Sequence, residues 1–203
     1  PINPSERDLL WQTITSLHEQ GERLVGIVLT HLHHDHLGAA TWLAQRARIP
    51  IYASRQTQVD LASGNDDRLS AGGASGDHSV EVTDILHDGD HLLGGWTVLL
   101  TPGHAKGHLC LWHQETASLV AGDMIASGST ILIEPEQGNL TDYLASLERL
   151  AMLEPRLMVP AHGLPIANAS ESLNALRHHR LQREMKTLAA LHTSGAATLS
   201  ELV

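Results

Sequence analysis

Cysteine is almost absent from this chain of 203 residues: Cys110 is the only one, which excludes an internal disulfide. It lies in the apolar run from Leu109 to Trp112, so we expect it to be a buried small hydrophobic residue. A chain without disulfides weakly favours the reducing cytoplasm. Phenylalanine is missing and aromatic residues make up 3%, so the core must be built mainly of Leu, Val, Ile and Ala. No apolar run approaches the roughly 18 residues of a membrane helix, so no membrane partner is expected.

Positive charge is also scarce, because 13 Lys and Arg stand against 23 Asp and Glu and give a formal net charge of −10. A net acidic chain is repelled by nucleic acid at long range, which counts against an RNA partner without excluding it. The strongest basic cluster is Arg177, Arg180, Arg183 and Lys186, on a predicted C-terminal helix. This cluster is either a solvated helix face, which is favoured, or a surface that holds RNA.

Histidine is abundant, with 15 residues, and one short stretch combines it with aspartate. His31, His33, Asp35 and His36 form the pattern His-x-His-x-Asp-His. The apolar run 24–29 leads into this motif and predicts a buried strand, so the motif lies on the turn that leaves the strand. Three imidazoles and a carboxylate on one turn suit borderline metal ions such as zinc.

Three other strand-like runs end in a turn that carries a possible metal ligand. These ligands are His104 after the run 96–100, Asp123 after 118–120 and His162 after 157–159. One such run would be weak evidence, but four in one chain predict that the turns meet at a metal site. His108 lies in the same turn as His104, and we expect it to support the site rather than to bind metal.

The remaining pattern predicts an α/β organisation. Helices are expected from Ser5 to Gly21, over 39–47, from Thr141 and over 170–192, with Ser5 and Thr141 as caps. A short strand is expected at 51–53, and several strands lie within 80–125, including a hairpin of 109–113 with 118–121. Residues 63–78 are rich in Gly, Ser and Asp and predict a loop, either a plain connection or a flap near the metals.

With these residues in place, the chain resembles the metallo-β-lactamase-fold hydrolases over about residues 24–162. The resemblance implies an αββα sandwich that holds two metal ions. The implied ligands are His31, His33 and His104 for one metal, Asp35, His36 and His162 for the second, and Asp123 as the bridge. Family members normally have several strands before the motif, so we expect N-terminal strands to be missing here.

The order of segments after Asp123 resembles the lactamase-beta-2-like branch of that family. Members of this branch carry a winged-helix-like unit after the last metal histidine, and some cleave single-stranded RNA. The resemblance therefore implies a metal-binding domain at 1–168. It also implies a C-terminal helix and the start of a winged-helix-like unit at 169–203, of which Thr198–Val203 would be the last part.

Two close metals can share a bound water and lower its pKa to near neutrality. The predicted reaction is attack by a metal-bridging hydroxide on an ester, thioester or phosphodiester bond. Asp35 is the candidate catalytic residue, since its carboxylate could orient the hydroxide or pass a proton to the leaving group. The imidazole and carboxylate ligands predict two zinc ions and also tolerate manganese or iron.

Several functions stay open because a fold does not select a substrate. A dinuclear metal hydrolase leads, with a thioester, ester, lactone or phosphodiester as its substrate, and cleavage of single-stranded RNA is the main alternative. Hydroxyacylglutathione ranks lower because the sequence after Asp123 differs from that group's substrate segment. A β-lactam ranks last because many zinc β-lactamases use a cysteine ligand where this chain has Asp123. A non-catalytic nucleic-acid-binding or scaffold role is the alternative outside enzymes, and a di-iron redox role is disfavoured because His31 and His33 are both present.

Overall fold

The computed structural model describes residues 3–63, 80–194 and 198. Its helices are α1 (Pro4–Glu19), α2 (His34–Leu37), α3 (Ala40–Ala47), α4 (Arg55–Ser63), α5 (Leu140–Ala151) and α6 (Ala169–Ser194). Its strands are β1 (Ile27–Val28), β2 (Ile51–Ser54), β3 (Asp84–Leu86), β4 (His91–Leu92), β5 (Trp96–Leu100), β6 (Leu109–His113), β7 (Ser118–Gly122) and β8 (Leu157–Pro160).

The strands form two sheets. The first sheet is parallel throughout and has the order β1-β2-β3. The second sheet has the order β4-β5-β6-β7-β8, with antiparallel pairs up to β7 and a parallel pair between β7 and β8. Because parallel neighbours need a crossover, the chain passes through α5 between β7 and β8. The predicted hairpin of β6 and β7 is confirmed.

The sheets pack face to face, with helices on their outer sides. Successive residues of β5 and β6 point to opposite faces, as strand geometry requires. Val98 and Leu109 join the cluster between the two sheets, while Leu99 and Cys110 join the cluster under α5 and α6. A third cluster packs α3 and α4 on the first sheet. The α/β class is therefore confirmed, with layers in the order helix, sheet, sheet, helix.

Two predicted helix caps are wrong by a few residues, and in both cases an asparagine further upstream is the cap. Helix α1 starts from Asn3, whose side chain accepts the Glu6 N–H, while the Ser5 hydroxyl donates to the Asn3 side chain at 2.7 Å. Helix α5 starts from Asn139, which accepts the N–H of Asp142. Asparagine caps a helix at least as well as serine or threonine. In both helices the first helical residue directly follows the asparagine, so the asparagine is the cap.

Helix α6 packs its first turns against α5. Ala169 and Leu173 are fully buried in the same cluster as α5, and Arg177 pairs with Glu148 of α5 at 3.2 Å. Among the described residues, no helix is both long and apolar enough to cross a bilayer. The predicted loop at 63–78, beyond Ser63, and the predicted unit at 198–203, beyond residue 198, lie outside the described residues. The division at residues 168 and 169 and the winged-helix-like unit stay predictions.

Strand β8 forms one edge of the second sheet and shows an alternating pattern. Met158 and Pro160 are buried, whereas Leu157 and Val159 are 39% and 40% exposed. Strand β1 is an edge of the first sheet, and Val25 just before it is also exposed. Exposed apolar residues along sheet edges are usually covered in native proteins. The expectation that N-terminal strands are missing stays a prediction.

Candidate metal centre

All seven predicted ligands are brought together, because each lies on a turn that leaves a strand. The first turn follows β1 and carries His31 and His33, and α2 then begins with Asp35 and His36 in its single turn. The other ligands are His104 after β5, Asp123 after β7 and His162 after β8. The structure groups their donor atoms into two clusters.

The first cluster contains His31, His33, His104 and Asp123, all of them buried. Its donor atoms all lie within 4.8 Å of one another. His33 Nδ1 is 3.0 Å from His31 Nε2 and 2.9 Å from His104 Nε2. Asp123 Oδ2 is 3.5 Å from His104 Nε2 and 3.9 Å from His31 Nε2. Three imidazoles and a carboxylate thus converge on one point, as ligands of a zinc-like ion do.

The outer nitrogens of these imidazoles show which atoms are left to bind a cation. His33 Nε2 donates to Gln137 Oε1, and His104 Nδ1 donates to the Leu132 carbonyl, both at 2.8 Å. Both oxygens only accept, so the inner nitrogens of His33 and His104 present lone pairs. Two lone pairs at 2.9 Å repel each other unless a cation lies beside them. The donor set therefore fits a metal ion, and the outer partners are those expected around metal-bound histidines.

The second cluster contains Asp35, His36 and His162, and it is more exposed than the first. Asp35 Oδ2 is 3.5 Å from His36 Nε2 and 3.3 Å from His162 Nε2. The side chains of Asp35 and His162 are 38% and 47% exposed. The deeper cluster and this one therefore differ in their access to solvent.

Asp123 connects the two clusters through its carboxylate. Its Oδ2 lies 3.5 Å from His36 Nε2, and its Oδ1 lies 3.6 Å from His162 Nε2, in addition to its contacts with His31 and His104. Within the described residues, His36 Nε2 and Asp123 Oδ1 are buried atoms without a hydrogen-bond partner. Unpaired buried polar atoms are rare and call for an explanation, and metal ions held by the two clusters would supply one.

The protonation of the centre follows from its burial. Burial first, and then the neighbouring histidines, hold the pKa of His31 well below its usual value. Burial raises the pKa of Asp123, but the imidazoles of His36, His104 and His162 outweigh it and leave that pKa below its usual value. Neutral imidazole and ionised carboxylate are the forms that bind metal.

A glycine fixes the turn that carries His104. Gly103 has a φ of +143°, and a Cβ at this position would lie 2.2 Å from the Tyr143 Cα in α5. Only glycine allows the turn to approach the helix so closely. The Gly103 carbonyl accepts the Asn139 N–H at 2.7 Å, which joins the same turn to the start of α5. The conformation of residues 101–104, Thr-Pro-Gly-His, thus depends on packing against α5 as well as on the metal site.

Three contacts to the ligands come from residues that the sequence did not single out. They are the contacts of Gln137 with His33, of the Leu132 carbonyl with His104, and of the Thr30 hydroxyl with His31 at 3.1 Å. Gln137 and Leu132 lie between β7 and α5, where neither periodicity nor a motif marks them. Thr30 precedes the motif directly, and its position beside His31 was the one available signal.

A helix–sheet–sheet–helix sandwich with two His/Asp clusters at its strand ends defines the class of dinuclear metallo-β-lactamase folds. Residues 2–162 match the family model of the Metallo-beta-lactamase superfamily, and the chain belongs to this superfamily.

Individual relatives agree with this assignment. The chain is 30% identical to the beta-lactamase-like protein 2 homolog of Caenorhabditis elegans, over 81% of this chain and 51% of that protein. It is 30% identical to a hydroxyacylglutathione hydrolase of Xylella fastidiosa (strain M12), over 93% of this chain and 68% of that protein. A solved structure, TTHA1623 in a di-iron-bound form, is 28% identical with a TM-score of 0.70, covering 85% of this chain and 84% of that one. The chain spans about half to two thirds of the curated relatives it matches.

Proposed function

We propose that this protein is a dinuclear metal-dependent hydrolase that cleaves a small ester or thioester. The observation that carries the proposal is the Asp123 carboxylate, which contacts histidines of both clusters within 3.9 Å. In this reading, His31, His33 and His104 hold one metal, and Asp35, His36 and His162 hold the other. When bound, such a pair lowers the pKa of a coordinated water and polarises the bond to be cleaved.

The surrounding residues set the geometry for this chemistry. Gln137 and the Leu132 carbonyl orient the rings of His33 and His104, so that their inner nitrogens point into the deeper cluster. Asp35 lies on the open side, with one carboxylate oxygen near His36 and His162. We propose that Asp35 both binds metal and moves a proton toward the leaving group, because its carboxylate is exposed enough to reach a substrate.

The deeper cluster leaves little room for a substrate. Beside His33 and His104, the cavity has a volume of about 20 Å³, and Leu132, Glu134 and Gln137 complete its lining. A space of that size holds little more than one water molecule. We therefore propose that a substrate approaches over the more exposed cluster of Asp35 and His162.

Charge and packing support a small substrate over RNA. The chain carries a net charge of −10, which repels a polyanion. Of the four cations on the C-terminal helix, Arg177 pairs with Glu148, and Arg180 donates to the Ile131 carbonyl. These two arginines therefore hold α6 on the domain and are not presented to a nucleic acid. The similarity to hydroxyacylglutathione hydrolases raises hydroxyacylglutathione above the rank that the sequence after Asp123 suggested.

We propose zinc as the metal, with iron or manganese as alternatives that the same ligands accept. The di-iron form of TTHA1623 makes iron the first alternative to test. The cytoplasmic location, suggested by the single cysteine, stays a prediction.

The test is a hydrolysis panel with protein loaded separately with zinc, iron and manganese. The substrates are a hydroxyacyl thioester of glutathione, an activated aryl ester, a β-lactam and end-labelled single-stranded RNA. Asp123→Asn and a chelated sample serve as controls, since each removes the metal pair in a different way. Thioester or ester cleavage that is lost in both controls supports the proposal. RNA cleavage with the same losses would replace it, and no cleavage by protein that holds two metals would favour a non-catalytic scaffold.

A further inference from the structure

One buried histidine belongs to neither cluster and yet lies among them. His108 is fully buried, and its ring centroid is 5.2 Å from that of His31 and 6.3 Å from that of His104. Both of its ring nitrogens already have partners. His108 Nε2 accepts the backbone N–H of Asp123 at 3.0 Å, and Nδ1 is 2.8 Å from the Thr101 hydroxyl. With both nitrogens engaged, the ring is not placed to bind a metal.

The direction of these hydrogen bonds fixes the tautomer of His108. A backbone N–H can only donate, so Nε2 must present its lone pair to Asp123. The proton is then on Nδ1 and is donated to the Thr101 oxygen. The Thr101 hydroxyl is left to face the Cys110 thiol at 3.3 Å, and that thiol lies 3.5 Å from the Ala121 carbonyl. A buried chain of polar groups thus runs from Asp123 through His108 to the strand that precedes Asp123.

The backbone at Gly122 is shaped around the His108 ring. Gly122 has a φ of +49°, and a Cβ there would lie 2.5 Å from His108 Nε2. The pairing of β7 with β8 shifts register between Val120 and Gly122, which turns the chain at this point. Any side chain at Gly122 would push the ring away from Asp123. The glycine, the register shift and the hydrogen bond all allow the backbone at 122–123 to approach the His108 ring closely.

His108 also lies at the junction of the other ligand-bearing turns. Its carbonyl accepts the Thr101 N–H at 2.9 Å, which closes the turn that carries His104. The next residue, Leu109, donates to the Thr30 carbonyl at 2.9 Å, just before His31. The Gly122 carbonyl accepts the Ala161 N–H at 3.0 Å, just before His162. His108 thus bonds directly to the turns of His104 and Asp123, and its neighbour Leu109 bonds to the residue before His31. Gly122, which packs against the His108 ring, bonds to the turn of His162.

We propose that His108 is a positioning residue, which holds the Asp123 carboxylate where it can contact both metal clusters by accepting the Asp123 N–H. The proposal rests on the metal pair of the proposed function. Without this acceptor, the turn at 122–123 would have a buried, unpaired N–H, and the carboxylate would lose its fixed direction. Weaker metal binding follows, because residues that orient ligands affect affinity nearly as strongly as the ligands do.

The test compares zinc binding by equilibrium dialysis, with zinc alone as the probe, in the full chain and two variants of His108. His108→Leu keeps an apolar side chain of similar size but has no acceptor. His108→Gln keeps an acceptor oxygen at about the distance of Nε2. We expect His108→Leu to bind at least one of the two zinc ions roughly 10–100-fold more weakly. His108→Gln should be close to wild type.

Leu173→Ala is the matched control, because it removes a fully buried side chain that takes part in no hydrogen bond of the ligand turns. It should lower stability and leave zinc stoichiometry and affinity unchanged. If His108→Leu does not fold, Thr101→Val replaces it, since it keeps the ring but removes the oxygen that holds its tautomer. Weaker zinc binding in Thr101→Val would support the role, and unchanged binding would overturn it.

The outcomes separate this inference from the proposed function. A wild-type protein that binds no zinc, iron or manganese overturns both. Two metals in the wild type and equal affinity in His108→Leu overturn the positioning role alone. Weak binding in both His108→Leu and His108→Gln also overturns it, because the acceptor would then not be what matters.

Discussion

Removal of the metal ions is the perturbation that tests the centre most directly. In the first cluster, three imidazole nitrogens and a carboxylate oxygen lie within 4.8 Å of one another. Without a cation, the lone pairs of His33 and His104 face each other at 2.9 Å, and Asp123 keeps a buried, unpaired oxygen. An arrangement of this kind is costly in the empty protein, so the folded state should be markedly less stable without metal.

The size of the effect follows from mass action. An ion that binds only the folded state and is present at about a thousand times its Kd adds roughly 4.1 kcal/mol to the free energy of unfolding. In a chain of this length, each kcal/mol shifts Tm by roughly 2–4 °C. One tightly bound metal should therefore raise Tm by roughly 8–16 °C, and a second should add to it.

The assay is thermal unfolding followed by tryptophan fluorescence, first in buffered free zinc and then in excess chelator. Asp123→Asn is the matched variant, because it keeps the shape of the side chain and removes the carboxylate shared by the clusters. Its Tm should change much less between the two conditions, while both proteins unfold at similar temperatures in chelator. The reasoning is refuted if the wild type has the same Tm with and without saturating zinc, and equally with iron and manganese.

Three further changes have expected outcomes. Asp35→Asn should lower kcat roughly 10²–10⁴-fold, because it removes the proposed proton carrier. It should cost little stability, because the Asp35 side chain is partly exposed. Steady-state kinetics on metal-saturated protein would measure the change, and an unchanged kcat would remove Asp35 from catalysis. Gln137→Leu should weaken metal binding roughly 10–100-fold, and Gln137→Glu should restore it, since a carboxylate also accepts the His33 N–H; dialysis would measure both. Asp88→Asn should lower the free energy of unfolding by roughly 0.5–1 kcal/mol at neutral pH, because Asp88 loses its paired contacts with Arg149 at 2.8 and 2.9 Å. Burial raises the pKa of Asp88, but the hydrogen bonds from Arg149 and the Leu100 N–H lower it by more, so this pKa lies below its usual value. This stabilisation is present above the unfolded-state pKa of Asp88 and is lost as pH falls through the folded-state pKa. The difference in denaturant midpoint between the wild type and Asp88→Asn should therefore vanish in acid. A difference that persisted there would contradict this reasoning.

The meeting of the candidate ligands could be predicted because strand ends are fixed points and each turn that carries a candidate follows an apolar run. His104, Asp123 and His162 are separated by long stretches of sequence, yet the same local pattern marks each of them. The parallel pair of β7 and β8 then brings Asp123 and His162 to one edge of the sheet. Local pattern and sheet topology agree here, so these side chains come together as expected, while their binding of metal stays a prediction.

The supporting contacts could not be predicted in the same way, because they depend on tertiary packing. Gln137 reaches His33 across 104 positions of sequence, from a segment with no periodic pattern. Arg180 looked like part of a basic surface, but α6 lies against the domain and directs this side chain to the Ile131 carbonyl. The role of a polar side chain outside a motif is decided by which element packs against it, and that information is spread over the whole chain.

The division of one short motif between two clusters has a simple backbone cause. His33 has an extended backbone, with φ −65° and ψ 141°, and the side chains of His31 and His33 are both buried. Helix α2 begins at the next residue, and its change of direction turns Asp35 and His36 toward His162. The pattern His-x-His-x-Asp-His therefore combines a strand end with one helical turn. The extended half contributes to the buried cluster, while the helical half contributes Asp35 and His36 to the more exposed one.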